Sequence, residues 1–175
     1  MERKLPLGIF LLKMQTKERT PLTVIPNNVY MGFLGGFITI MILALVTQMS
    51  ANIWLMAPFG ASCVLVYALW DAPLSQPRNV IGGHFISTFI GLVMSHLMGN
   101  SIWAIALGVG LSISCMVLTK TTHPPAGADP IVVIMAGSSW SFLFFPALVG
   151  AISIVLLALI INNLSPNRKY PKFWM

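Results

Sequence analysis

The 175-residue chain is 57% hydrophobic and only 8% charged, too few ionic groups to clothe a water-facing surface, so a soluble fold is excluded. Its formal net charge of +6 does not point to nucleic acid, because the basic residues flank apolar stretches and form no basic face. The expected partners are the lipid bilayer and its anionic headgroups. Cys63 and Cys115 sit inside apolar stretches and read as small packed hydrophobes, not as a disulfide framework.

Residues 1–25 read as a cytoplasmic N-terminal segment. Arg3, Lys4 and the apolar run Leu5 to Leu12 have the look of a secretory signal, but no small-residue cleavage site follows and Lys13 interrupts the run. Residues about 5 to 17 suit an interfacial helix with Lys4, Lys13 and Lys17 reaching headgroups, weakened by Pro6 and Gly8.

The transmembrane domain is assigned to 26–163. Val29 to Met49 carries no charge and is long enough to cross a hydrocarbon core of ~30 Å, with Gly32, Gly35 and Gly36 offering a face for close helix packing. Ile53 to Trp70 is apolar but broken by Pro58 and Gly60. After a polar connection, Asp71 to Asn79, the stretch from Val80 to Thr119 lacks any Asp, Glu, Lys or Arg. It suffices for two crossings joined by a hairpin at Gly99, Asn100 and Ser101. Lys120 to Asp129 is polar and Pro-rich, Ile131 to Ala136 is apolar again, and Phe142 to Ile161 forms a last span. Residues 164–175 are a basic-aromatic tail, with Tyr170, Phe173 and Trp174 expected at the lipid boundary beside Lys169 and Lys172.

The fold class is therefore an all-α membrane protein with about six transmembrane helices, two of them broken by Pro and Gly. Six crossings place Arg78, Lys120 and both termini on one cytoplasmic side of the cell membrane, obeying the positive-inside rule. Four crossings with re-entrant Pro58 and Pro125 segments strand Arg78 and Lys120 on the far side. Pro58, Gly60 and Ala61 are echoed by Pro125, Gly127 and Ala128. Three crossings per half would make the halves an inverted repeat, with a midplane site built from the broken helices.

The string Thr122-His123-Pro124-Pro125-Ala126-Gly127-Ala128-Asp129-Pro130 reads as the start of a helix whose unpaired N–H groups, unobstructed at Gly127, would attract an anion. Pro58, Gly60, Ala61 and Ser62 repeat these features, with a hydroxyl added. Arg78, Asn79, Gly82, Gly83 and His84 combine a fixed charge, an amide and a flexible pair beside an apolar span, suited to gathering anions, although Arg78 also suits a simple lipid-phosphate anchor. His84 and His123 are candidate gates or proton relays, and His96 a weaker one. Asp129 would repel an anion if ionised beside it, so pairing with Lys120, helix capping or binding of a coupling proton is expected.

His123-Pro124-Pro125-Ala126-Gly127-Ala128 matches the hallmark of the HPP integral membrane family, and Gly60-Ala61-Ser62 and the run Gln76 to His84 are also similar to that family's pattern. The resemblance covers about residues 26 to 163, and departs at Asp129-Pro130, where a smaller, uncharged residue is expected. It implies a helical membrane domain and, from plastid and cyanobacterial relatives, nitrite transport. The residues themselves favour a small monovalent anion without naming it.

Rival readings are a structural or assembly subunit of a membrane complex, and Cu(I) passage by Met94, His96 and Met98, although scattered methionines also fill packing gaps. No catalytic spacing of nucleophile and base appears, so an enzyme is not expected. Neither a metal centre nor a cofactor is called for, and a homo-oligomer is expected.

Overall fold

A computed structural model describes residues 7–174. Among them are seven α-helices and no strand: α1 (Leu7–Leu12), α2 (Pro26–Met49), α3 (Pro58–Cys63), α4 (Pro77–Met98), α5 (Ile102–Leu118), α6 (Asp129–Met135) and α7 (Val149–Asn163). α1 is shorter than the expected interfacial helix, whose residues Lys4 to Pro6 lie outside the described residues. Among the described residues three helices are long and apolar enough to cross a membrane, Pro26–Met49, Pro77–Met98 and Trp140–Asn163, with shorter apolar helices at Pro58–Ala68 and Ile102–Leu118.

The two proline-bearing segments are interrupted as the sequence suggests. α3 runs on through a wide turn, Val64–Ala68, for about 16 Å, half a hydrocarbon core. The signature string forms a tight turn, Pro124–Ala128, that leads directly into α6. The last span is also kinked, at Phe145 beside Pro146. The hairpin falls where expected: Gly99 adopts φ +61 and the Ser101 hydroxyl caps α5 by accepting from the Ala104 amide, filling one of the orphan donors of a helix start.

α2 buries only Met31, Gly35, Thr39 and Leu43, a four-residue repeat that makes one narrow stripe, and leaves the rest of its apolar surface outward, as lipid allows. Gly35 lies against the Tyr67 ring, whose hydroxyl pairs with Thr39. Gly32 and Gly36 are open.

One end of the bundle is tied by polar contacts. Arg168 donates to Tyr67 O (2.9 Å), Asn162 Oδ1 (2.7 Å) and Asn28 Oδ1 (2.8 Å). Tyr170 donates to Ser75 O, the Lys172 amide donates to Gln76 Oε1, and Arg78 donates to Thr119 O. The tail therefore folds across this end, and Tyr170 and Arg168 are buried. This corrects the expectation of Tyr170 at the lipid boundary: its ring plugs the bundle while Phe173 and Trp174 stay exposed. Burial pulls the Arg168 guanidinium below its ordinary value, opposed by Asp71, and pushes the Tyr170 phenol up.

Candidate functional site

α4 is the axis of the site. Its buried face includes Asn79, Gly83, His84, Ser87, Thr88 and Gly91, at the three- and four-residue spacing of one helix side. The glycines let the signature segment lie directly on it: a Cβ at Gly83 would stand 2.7 Å from His123 Cβ, and one at Gly91 2.6 Å from Pro130 Cα. A Cβ at Gly82 would meet Thr121 Cγ2 at 2.8 Å. Asn79 Nδ2 donates to Thr122 O and Ser87 Oγ to Ala126 O, pinning the segment's backbone.

Four fully buried side chains from three segments meet there: Ser62 of α3, His84 of α4, and His123 and Asp129 of the signature. Ser62 Oγ is 2.8 Å from His84 Nε2 and 2.9 Å from His123 Nε2. His84 Nδ1 is 2.8 Å from Asp129 Oδ2, which also accepts from Thr88 Oγ1 at 3.2 Å. His123 Nδ1 lies 2.8 Å from Leu74 O. Phe59 packs edge-on against the His84 ring, 5.1 Å between centroids.

Hydrogen-bond logic gives this string a direction. A carbonyl only accepts, so a neutral His123 carries its proton on Nδ1 and presents a lone pair at Nε2. Ser62 donates to that lone pair and accepts from His84 Nε2–H. One proton remains between His84 Nδ1 and Asp129 Oδ2, as an imidazolium–carboxylate or a neutral pair, and either form sums to zero charge. Asp129 Oδ1 is buried with no partner.

Pro58, Ala61, Pro124, Pro125 and Ala128 line one open, apolar groove of about 610 Å³ beside this string, so the two broken segments do meet. The expected bare amides are in use, however. The Phe59 and Gly60 amides donate to Met56 O and Ala57 O, and that of Ala126 to His123 O, because tight turns at the prolines recruit the preceding carbonyls. Gly60 and Gly127 have open space where a Cβ would be. Asp129 does not pair with Lys120 and does not cap a helix: Ala128 holds the cap position, and Asp129 turns inward to His84. Arg78, partly exposed, is held by Thr119 O away from the string. Of the metal alternative, Met94 is half-buried while His96 and Met98 are exposed near the end of α4. Sequence reading missed Thr88 and Ser87, although both lie one helical turn beyond His84, and the Leu74 carbonyl, which carries no sequence signal.

A family model described as HPP, transmembrane region, matches residues 21–171. The chain belongs to the HPP family. Two transmembrane proteins of Dictyostelium discoideum are similar to it. One is 35% identical over 169 residues, 90% of this chain, and the other 37% over 157 residues, 81% of this chain. In each case the match spans 54% of the relative, so the chain spans about half the length of these proteins. No solved structure matches. In this HPP domain the three motifs that were separate in sequence supply, respectively, Ser62, His84, and the His123–Asp129 pair.

Proposed function

We propose that this HPP domain carries a small monovalent inorganic anion across the cell membrane, with nitrite the first to test, as a carrier and not an enzyme. The observation that carries the reading is the meeting of two proline-broken, half-length helices at a fully buried string of one serine, two histidines and an aspartate. Burying an aspartate and two histidines at membrane depth costs several kcal/mol, about that order for each unsatisfied group, and such residues mark solute or proton paths.

The reading takes the chain across the bilayer six times. It is supported by the bonds that gather the start of α2, the end of the Pro58–Ala68 helix, the start of α4, the end of α5 and the tail at one end. Arg78, Lys120, Arg168 and Lys172 then share the cytoplasmic face. Three crossings per half orient the broken helices oppositely, the arrangement transporters use for midplane sites. In its support, Ser62 and Asp129 each stand four residues after the proline of their Pro-x-Gly-Ala string, and both bond His84. The anion rests in the groove lined by Pro58, Ala61, Pro125 and Ala128 beside the string, with Arg78 and Lys120 raising its local concentration. Gly32 and Gly36, open on α2, favour close approach of a second copy.

The experiment is nitrite flux into liposomes holding the purified protein. Saturable flux above protein-free vesicles, lost on His84→Asn, is expected. Flux equal to that of protein-free vesicles overturns the reading.

A further inference from the structure

We propose that Asp129 Oδ1 is the loading site for one proton that crosses with each anion, so that the domain is an electroneutral proton–anion symporter; this rests on the transport reading above. Every other polar atom of the string is spent. His123 Nδ1 is engaged by Leu74 O, Ser62 Oγ by both histidines, and Asp129 Oδ2 by His84 and Thr88. Oδ1 alone is buried without a partner, in a residue with no solvent exposure. A native protein keeps so few such atoms that each calls for an explanation. It is the one atom of the string that can take a proton without breaking a bond already made.

The charge balance follows. A proton from water adds to Oδ1, the shared proton stays on His84 Nδ1, and the string passes from zero to +1. A monovalent anion beside it restores neutrality in the low-dielectric interior, where an unpaired charge is most costly. On the opposite side the anion departs and the O–H proton returns to water; no other bond forms or breaks. Few other groups interfere. α4 brings His84, with Arg78 bonded to Thr119 O at one end and His96 exposed at the other, and α5 brings only Cys115. His123 precedes Asp129 in its own segment, and Cys63 of α3 follows Ser62. Ala61 and Ala128, the sequence neighbours of Ser62 and Asp129, line the open groove, so the string lies one residue behind its wall.

The test uses the full chain in vesicles loaded with a pH-reporting dye, with the membrane potential set by potassium and valinomycin. Protein-free vesicles fix the background from undissociated nitrous acid. Nitrite entry with equal proton entry, indifferent to the imposed potential, supports the proposal, as does at least tenfold loss of pH-driven accumulation in Asp129→Asn. Nitrite entry that follows the potential without protons overturns it and leaves the transport reading standing. No nitrite flux at all overturns the transport reading and the coupling with it. Infrared titration of the purified protein reads the site without any substrate: a protonated-carboxyl stretch that rises on acidification and is missing from Asp129→Asn is expected. An identical band in both proteins overturns the assignment.

Discussion

Replacing Gly83 by alanine adds a single methyl group at the closest approach between α4 and the signature segment. That methyl would sit 2.7 Å from His123 Cβ, 3.1 Å from the Thr121 carbonyl oxygen and 3.4 Å from Met116 Sδ. Carbon atoms rest about 3.5–4.0 Å apart, so the segment must retreat by about 1 Å. The 2.9 Å bond from Ser62 to His123 would then pass beyond hydrogen-bond range, as would the 2.8 Å bond from His123 to Leu74 O. Overpacking of this kind costs about 1–3 kcal/mol, and each lost bond adds about 1 kcal/mol. Against this, alanine in place of glycine inside a helix gains at most about 1 kcal/mol. The net expectation is a loss of about 2–4 kcal/mol, with transport reduced at least tenfold because His123 is displaced. The control is Gly110→Ala on α5, where no atom lies within 4 Å, expected to be neutral or slightly stabilising. Unfolding in detergent followed by tryptophan fluorescence, alongside flux, measures both. A Gly83→Ala protein as stable and active as Gly110→Ala would refute the claim that this glycine seats the signature on α4.

Three further outcomes are expected. Gly127→Leu meets open space and should leave the unfolding transition within about 0.5 kcal/mol of the parent while lowering flux; unchanged flux would place Gly127 off the path. Arg168→Lys exchanges a planar fork that reaches three acceptors for a point charge that cannot hold all of them. About 2 kcal/mol of stability should be lost and the tail should become more open to limited trypsin cleavage, whereas an unchanged cleavage pattern would contradict the clamp. Single cysteines at positions 78, 120 and 172, in a background lacking Cys63 and Cys115, should react with a membrane-impermeant reagent from the same side. Labelling split between the two sides would refute the six-crossing path.

Bringing the string together requires pairings that sequence proximity misleads about. Asp129 lies nine residues from Lys120 and 45 from His84, so a local reading pairs it with the lysine, while the fold pairs it with the histidine. The reason is that α6 starts on the face of α4 that carries Gly83, Ser87 and Gly91, which turns the carboxyl toward the bundle interior and leaves Lys120 exposed. Likewise Ser62 and His123 are 61 residues apart, and no periodicity joins them. The prolines announced broken helices correctly, but not that the tight turns they force would use up the amides thought free.

What the sequence by itself determined is the solvent and the punctuation: apolar length and scarce charge demand a bilayer, and proline, glycine and serine mark the breaks and the hairpin. Those are one-dimensional properties, because bilayer thickness and backbone bonding act on each segment locally. Which polar groups meet, and which oxygen of the buried string is left without a partner, was decided only in three dimensions. Close helix approach at Gly83 and Gly91 selects side-chain neighbours across tens of residues, and the burial of the tail on Arg168 and Tyr170 depends equally on the packed end of the bundle.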